Sequence, residues 1–505
     1  MKVAVVGCAH GELDAIYAAL AEAEAARGVR ADVLLCAGDF QAVRNAADLA
    51  SMACPPRFRD MRSFWRYYAG DARAPLPTLF VGGNHEASTH LQEIPLGGLV
   101  APNIYFLGNA GVVNFRGLRI AGVSGVYTEH NFHKHRFESP PYPRSQIKSV
   151  YHARREDVDR LLRLRAPVDV FLSHDWPRGI TDFGDLAALL RAKPFLKGEI
   201  ADGSFGNPAS RKVLDALAPS FWFAAHIHVK FPALVHHDSG KTTRFLALDK
   251  ALPKRDFIQI LDIPRADGEA EAEAESAIEL DPEWLTILRT EAEQRGRQTP
   301  VSEEEMHATV QKMQASGVKP FLSPINDFER RAAMHDPKGR GTVEQGQVVL
   351  QKENKSIMAA LGLPEDAWLA KQQIAQVNGA QAAPVTPYLV SLLFSPTASS
   401  PKTSSTKLQT TKDSATAFGA MLYSTLGYST VVRFVITAAY FVFIFFAITT
   451  RGTAPSSFPP PHPFDPVSNR PAQHHTPLPT STSPPHQHHT YRTLAKLHAF
   501  RSSLP

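Results

Sequence analysis

Short apolar runs that end in glycine-rich or polar turns recur through the first 264 residues of this 505-residue chain. The runs have the length of buried β-strands, and several precede stretches with a helical pattern, such as 13–27. Residues 104–107 and 112–115 read as an antiparallel strand pair, which favours a mixed sheet over a purely parallel one. The sequence therefore predicts an α/β domain over residues 1–264, with a layered mixed sheet flanked by helices.

The rest of the chain differs in composition. Residues 265–276 are predicted to form an acidic linker, and residues 277–380 a smaller helical domain. Residues 381–505 are rich in Ser, Thr, Pro and His and are predicted to be disordered. Within them, the apolar run 434–448 has three interpretations: a translated extension outside any fold, a tail anchor, or a buried helix. For residues 1–380 we expect no stable membrane association.

Composition indicates the cellular compartment of the protein more clearly than it indicates what the protein binds. Three cysteines in so long a chain do not form a disulfide framework, which favours a reducing intracellular compartment. A net charge of +5 is too small to indicate nucleic-acid binding by the whole molecule. Any such binding has to come from a local cluster of cations.

Metal-ligating residue types follow five of the apolar runs. Because the ends of strands in an α/β sheet converge, these residues are expected to meet at one site. The candidate ligands, in chain order, are Cys8, His10, Asp39, Asn84, His174, His226 and His228.

Such a set suits a pair of divalent cations. One carboxylate can bind both ions, and Asp39 is the natural candidate. Strand alternation suggests that His226 and His228 face the same side, as do Cys8 and His10. Two cations held about 3.5–4 Å apart can position a hydroxide and clamp the phosphate that it attacks.

The ordered set resembles the metallophosphoesterase superfamily, whose pattern is Asp-x-His, Gly-Asp, Gly-Asn-His-Glu/Asp, His and Gly-His-x-His. The chain departs from it at Cys8, where aspartate is usual, and at Ala225, where glycine is usual. A cysteine at the first position resembles the lariat debranching enzymes, which carry cysteine there. The sequence around all five turns is also similar to that family over most of residues 1–262. The helical domain resembles the family's C-terminal domain less strongly.

The resemblance implies a metallophosphoesterase-type β-sandwich and hydrolysis of the 2′–5′ phosphodiester at the branch point of excised intron lariats, in the nucleus. The implied partner is branched RNA, and the implied cofactors are two divalent ions, Fe(2+), Zn(2+) or Mn(2+). A thiolate at position 8 independently favours Fe(2+) or Zn(2+) over Mg(2+). The alternative for Cys8 is a packing residue that leaves its metal site weaker.

Hypothetical roles follow from this pattern. One ion is assigned to Cys8, His10, Asp39 and His228. The other is assigned to Asp39, Asn84, His174 and His226. His85 has no ligand role in the pattern, so it is predicted to act as the general acid on the leaving oxygen. The alternative for His85 is a turn histidine bonded to backbone.

A long loop, residues 130–155, interleaves cations with aromatic rings and contains several prolines. Cations neutralise phosphates and aromatic faces stack on unpaired bases, so the loop is predicted to bind RNA. Its position is similar to the lariat recognition loop of the family, and the alternative is a solvated charged loop. The candidate RNA-binding residues are Lys134, Arg136, Tyr142, Arg144, Lys148, Tyr151 and Arg154.

Two other functions are compatible with parts of this pattern. The first is another metallophosphoesterase activity, as a nuclease, a nucleotide phosphodiesterase or a protein phosphatase. Cys8 and the basic-aromatic loop weigh against it. The second is a non-catalytic scaffold of the same fold, which would be expected to have lost some of the ligands. The sequence indicates no protein partner.

Overall fold

The computed structural model of the chain describes residues 1–265, 278–294, 296–319, 321–323, 327–337 and 348–364. Apart from Arg265, the predicted acidic linker lies outside the described residues. The predicted disordered tail and its apolar run 434–448 lie outside them as well. The boundaries drawn at residues 264, 276 and 380 stay predictions.

The strands are short and largely buried. In chain order they are β1 (Lys2–Val6), β2 (Val33–Cys36), β3 (Thr78–Phe80), β4 (Gly98–Ala101), β5 (Ile104–Phe106), β6 (Ala110–Phe115), β7 (Leu118–Val123), β8 (Val170–Ser173), β9 (Phe221–Ala224), β10 (Phe231–His236), β11 (Thr242–Ala247), β12 (Ile258–Asp262), β13 (Ile278–Leu280) and β14 (Phe321–Leu322).

The helices lie between and after these strands. They are α1 (Leu13–Arg27), α2 (Ala46–Ala50), α3 (Phe64–Ala69), α4 (Ser88–Gln92), α5 (Glu129–Phe132), α6 (Arg155–Leu161), α7 (Leu186–Ala192), α8 (Lys197–Ala201), α9 (Pro208–Leu217), α10 (Pro282–Glu293), α11 (Glu303–Ala315) and α12 (Lys352–Leu361).

Local sequence explains where several of these helices begin. The Asn207 side chain accepts the first free N–H groups of α9, and Pro208 occupies the first helical position. Ser302 and Glu305 form a reciprocal capping box at the start of α11. These residues satisfy backbone donors that have no partner inside a helix.

Two mixed sheets pack face to face. The first has the order β12-β1-β2-β3-β5-β4, with β1, β2, β3 and β5 parallel. The second has the order β10-β11-β9-β8-β7-β6-β13-β14, with β7, β8, β9 and β11 parallel. A layered mixed sheet flanked by helices is the predicted fold class, and the structure confirms it.

Alternation along the strands divides the apolar residues into three layers. In β1, Val3 and Val5 enter the core between the two sheets. Ala4 and Val6 face the opposite way, toward the buried side of α1. A third layer covers the outer face of the second sheet and includes residues of α10 and α12. Each strand of this kind is buried on both faces, which explains the continuous apolar runs in the sequence.

The predicted antiparallel pairing of residues 104–107 with 112–115 is wrong. β5 pairs with β3 and β4 in the first sheet, whereas β6 pairs with β7 and β13 in the second. The turn between them carries the chain from one sheet to the other. There Leu107 donates to Phe80 and Asn109 donates to Pro95 through their backbone N–H groups.

A buried ion network attaches α10 to the second sheet. Arg119 of β7 contacts the Asp281 carboxylate at 2.8 Å and the Glu283 carboxylate at 2.9 Å, and all three side chains are at most 10% exposed. Asp281 also caps α10 by accepting the N–H of Trp284.

Replacing Arg119 with alanine is expected to lower the free energy of unfolding by about 3–5 kcal/mol, because two buried carboxylates lose their cation. Urea unfolding of the purified protein measures this change. The matched control is Arg116→Ala, which breaks the more exposed pair with Asp32 at 3.2 Å. That change is expected to lower the free energy of unfolding by about 1 kcal/mol at most. Equal losses of unfolding free energy in the two variants would contradict a stabilising role of the buried ion network.

None of the helices in the described part of the chain combines the length and apolar character that crossing a bilayer requires.

Candidate metal centre

The carboxyl ends of five parallel strands, from both sheets, meet at one place. β1, β2 and β3 lead into the turns that carry Cys8, Asp39 and Asn84. β8 and β9 lead into those that carry His174 and His226. All seven predicted ligands lie in these five turns, and the structure brings them together as two sets that share Asp39.

The first set contains Cys8, His10, Asp39 and His228. One potential ligand atom from each of the four lies within 4.8 Å of those of the others. The Nε2 atoms of His10 and His228 are 3.3 Å apart, and His10 Nε2 lies 3.7 Å from Asp39 Oδ2. The set therefore offers sulfur, nitrogen and oxygen donors around one point.

The second set is built around His174. Its Nε2 atom lies 3.3 Å from Asp39 Oδ1, 3.2 Å from Asn84 Oδ1 and 3.2 Å from His226 Nδ1. The two oxygens of Asp39 thus face different sets. This is the arrangement that a bridging carboxylate requires.

Hydrogen bonds to the Nδ1 atoms of His174 and His10 orient the rings of these two ligands. The Nδ1 atom of His174 lies 2.8 Å from the Ala37 carbonyl, so it donates its proton there and leaves the Nε2 lone pair directed at Asp39. The side-chain Nε2 of Gln41 lies 3.1 Å from His10 Nδ1 and holds the His10 ring in place. Fixing one nitrogen of a histidine by a hydrogen bond is how proteins commonly prepare the other as a ligand.

The protonation states of these donors suit cations. Burial lowers the pKa of His174 to about 4 and that of His228 to about 3, so both imidazoles are neutral near pH 7. Burial, with a contribution from Asp39, raises the pKa of the Cys8 thiol well above its usual value. A bound cation reverses this effect because it deprotonates a coordinating thiol. Neutral imidazoles, a shared carboxylate and a buried thiol fit divalent metal ions.

The prediction that strand alternation directs His226 and His228, and likewise Cys8 and His10, to the same side is wrong. All four residues nevertheless lie at the metal centre. His226 and His228 lie beyond the end of β9, and their φ angles are 63° and 54°. His10 and Asp39 also have left-handed backbones, with φ angles of 48° and 49°. Such conformations typically cost about 1–3 kcal/mol each in residues with a side chain and cluster at functional sites. Tight left-handed turns, not strand periodicity, aim these four side chains.

Gly83 allows the Asn84 turn to approach Asp39. A Cβ atom at this position would lie 2.3 Å from Asp39 Oδ1 and 2.5 Å from the Asp39 backbone nitrogen. No side chain fits in that space. The glycine is therefore a packing requirement of the metal centre.

Gly83→Ala is accordingly expected to displace Asp39 and to reduce the metal content of the purified protein to less than half that of the wild type, as measured by mass spectrometry. Gly82→Ala is the matched control, because its added Cβ would have no neighbour closer than 3.5 Å. The control is expected to keep its metal. An unchanged metal content in Gly83→Ala would contradict the close approach.

Glu86 is not among the predicted site residues, although it closes the Gly-Asn-His-Glu motif. Its buried carboxylate accepts the backbone N–H groups of Phe40, Gln41 and Gly83 at 2.8–2.9 Å. Burial, followed by the Asp39 charge, raises its pKa to about 8. Glu86 therefore ties the Asp39 turn to the Asn84 turn. The motif itself was the signal that could have identified it.

His85 lies beside both sets without belonging to either. Its backbone N–H donates to Asp39 Oδ1 at 2.8 Å, and its ring centroid is 5.4 Å from that of His10. The imidazole is therefore free of the ligand sets but close to them. This placement is compatible with its predicted role, which stays a prediction.

Loop 130–155 borders the same region but presents fewer cations than predicted. Lys134, Arg144 and Lys148 are exposed. Tyr151 is half-buried and lines a small cavity together with Gly83. These four residues keep their predicted role as candidates for RNA contact.

Arg154 and Tyr142 require a correction, because both are buried by structural partners. Arg154 is fully buried and pairs with Glu138 at 2.6 Å. Tyr142 is 9% exposed, and its hydroxyl bonds to the side chain of Gln92. Neither side chain is available to RNA in this arrangement. Arg136 is also largely buried and pairs with Asp157 at 2.7 Å.

Comparisons with known proteins agree with this geometry. Residues 1–230 match the family model of the calcineurin-like phosphoesterases, and residues 240–366 match that of the lariat debranching enzyme C-terminal domain. A lariat debranching enzyme of Arabidopsis thaliana is 43% identical over 373 residues, which cover 72% of this chain and 87% of that protein. The chain belongs to the lariat debranching enzyme family.

Other relatives match over a shorter part of their length. The Drosophila melanogaster lariat debranching enzyme is 40% identical over 428 residues, which cover 72% of this chain and 78% of that protein. The Homo sapiens enzyme is 55% identical over 295 residues, or 57% of this chain and 53% of that protein. The chain thus spans about half the length of the vertebrate relatives that it matches.

Proposed function

We propose that this protein hydrolyses the 2′–5′ phosphodiester bond at the branch point of excised intron lariats. The observation that carries the proposal is the convergence of Cys8 and five other donors around a shared Asp39. Cysteine in this position resembles the debranching enzymes rather than other metallophosphoesterases. Family membership supports the same substrate.

The two sets of donors would hold two divalent cations, and the family match implies such metals. When bound, such a pair supplies Lewis-acid stabilisation of the phosphate charge and lowers the pKa of coordinated water. We propose Fe(2+), Zn(2+) or Mn(2+) as the ions, because a thiolate favours softer metals than Mg(2+). Elemental analysis of the purified protein tests this, and an exclusive Mg(2+) content would contradict it.

The residues around the cations have separate tasks in this proposal. Asp39 shares its two oxygens between the sets and holds them at a fixed separation. His85, close to both sets but in neither, gives a proton to the 2′ oxygen as it leaves. Tyr151 and the exposed cations Lys134, Arg144 and Lys148 hold the RNA next to Gly83.

Excised introns arise in the nucleus, so we propose a nuclear location for the protein. Imaging of the fluorescently tagged full chain in its own cells tests this. A signal excluded from the nucleus would contradict it.

Parallel assays on three substrates test the function. A branched oligonucleotide with a 2′–5′ bond should be cleaved to a linear product. Its linear 3′–5′ isomer and a phosphopeptide should stay intact at the same enzyme and metal concentrations. Equal cleavage of the linear isomer would indicate a general nuclease, and release of phosphate from the peptide a protein phosphatase.

A further inference from the structure

Asp175 is a largely buried carboxylate beside the metal centre that belongs to neither set of donors. It follows His174 in the turn after β8, and its side chain is 15% exposed. Its two oxygens face different neighbours. Oδ2 accepts the backbone N–H of Tyr127 at 2.7 Å, and Oδ1 lies 3.9 Å from Nε2 of His226. One side chain thus stands between a donor of the second set and the segment that leads into loop 130–155.

The turn that carries Asp175 is fixed by contacts that do not involve its carboxylate. The Ser173 hydroxyl donates to the backbone carbonyl of Asp175 at 2.6 Å. Trp176 Nε1 donates to the Ala225 carbonyl at 2.7 Å, and the Ala225 N–H donates to the His174 carbonyl at 3.2 Å. A change confined to the carboxylate is therefore expected to leave this turn and the neighbouring one in place.

The two nitrogens of His226 have different surroundings. Nδ1 lies 3.2 Å from His174 Nε2 and belongs to the second set, whereas Nε2 is the nitrogen next to Asp175. An imidazole that binds a cation through one nitrogen keeps its proton on the other, so the Asp175 carboxylate then faces an N–H group. At 3.9 Å the contact is electrostatic rather than a hydrogen bond. A carboxylate in this position favours the tautomer and the ring orientation that leave Nδ1 available to a cation.

The Tyr127 contact places the same carboxylate at the base of loop 130–155. Tyr127 lies between β7 and α5, and its neighbour Val126 forms a parallel bridge with His152. The bridge closes the base of the loop, because it pairs the segment before the loop with the last residues of the loop. Asp175 therefore contacts this base with one oxygen and faces a histidine of the metal centre with the other.

We propose that Asp175 is a positioning residue of the metal centre. It holds the His226 ring through Nε2, so that Nδ1 is directed at the cation of the second set. Through Tyr127 it holds the base of loop 130–155 beside the same turn. The first set contains neither His226 nor Asp175, so the direct effect is confined to one of the two cations. This inference rests on the proposed function and extends it to a residue outside both sets of donors.

Asp175→Asn separates the two contacts. Asparagine keeps the shape of the side chain but has one acceptor oxygen instead of two. When that oxygen accepts the Tyr127 N–H, the amide N–H group faces Nε2 of His226, and a donor opposes a donor. The variant is expected to bind one of two Mn(2+) ions about 10–100-fold more weakly than the wild type, the usual cost of losing such a partner. Equilibrium dialysis of metal-free protein against Mn(2+), followed by elemental analysis, measures both affinities.

Two further variants complete the comparison, and circular dichroism checks the fold of each. Asp182→Asn changes an exposed carboxylate a few residues further along the chain and should bind both ions as the wild type does. Asp175→Ala removes both contacts, so it should lose affinity for one Mn(2+) ion and also bind fluorescent branched RNA more weakly. Wild-type affinity for both ions in either variant at Asp175 would overturn the inference. Unchanged RNA binding by Asp175→Ala would overturn its role at the base of loop 130–155.

Cleavage of the branched oligonucleotide gives a second readout. At a Mn(2+) concentration that just saturates the wild type, Asp175→Asn should be slow, and about 10–100-fold more Mn(2+) should restore its rate with KM for the RNA unchanged. A purely structural defect would not respond to the metal, so a rate that stays low would overturn the inference. Failure of the proposed function would look different. The wild type would bind two ions, Asp175→Asn would bind one of them more weakly, and neither protein would cleave the branched substrate.

Discussion

Asp39→Asn is expected to slow hydrolysis of the branched substrate severely. The carboxylate faces His10 with one oxygen and His174 with the other, so the change weakens both cation sites at once. Each catalytic cation is worth several kcal/mol, and about 1.4 kcal/mol corresponds to a factor of ten, so the rate should fall by roughly 10³ or more. Elemental analysis should show the loss independently, as fewer than two metals per chain.

The fold itself should survive this substitution. Asparagine has the same shape, and its amide oxygen can still accept the His85 backbone N–H that Asp39 accepts now. Circular dichroism checks the fold, and Asp215→Asn is the matched control, since that carboxylate is half exposed on α9. An Asp39→Asn protein with two tightly bound metals and wild-type rates would refute the shared carboxylate.

His85→Ala is expected to lower the rate of branch cleavage by about 10²–10⁴ while leaving the metal content unchanged, because general acid catalysis contributes about this much. The contact that ties His85 to Asp39 comes from the backbone N–H, so alanine preserves it. Only the imidazole next to His10 is removed. Single-turnover kinetics on the branched oligonucleotide measure the effect.

A change of leaving group shows whether His85 acts by giving a proton. An aryl phosphodiester releases a stable phenolate that needs no protonation, so the His85→Ala penalty should nearly disappear with it. An equal penalty on both substrates would indicate that His85 only positions the phosphate. His133→Ala removes an exposed histidine from loop 130–155 and should change neither rate.

The sequence predicted the fold class and the meeting of the ligands for a clear physical reason. Strand ends in parallel sheets converge, so residues such as Asp39 and His174 could be assigned to one place from their position after an apolar run. The identity of each ligand is local information. Their convergence needs only the parallel pairing of the strands, which buried runs of this length indicate.

What the sequence could not show depended on long-range partners and on backbone angles. From the sequence alone, Arg154 is predicted to contact RNA. In the structure it pairs with Glu138 inside the protein. The strands β5 and β6 are neighbours in the chain, but the turn between them crosses from one sheet to the other. The left-handed turns at His226 and His228 carry no strong local signal, since histidine only occasionally adopts positive φ.

The pairing of β13 with β6 sets a practical limit on where this protein can be shortened. β13 lies beyond the predicted acidic linker, and it covers a strand whose residues are almost entirely buried. A chain ending at residue 264 would leave uncovered the edge of β6 that β13 pairs with, while the other edge would stay paired with β7. Uncovered strand edges recruit strands from other molecules. The shortened protein should therefore aggregate, even though it would contain every residue assigned to chemistry.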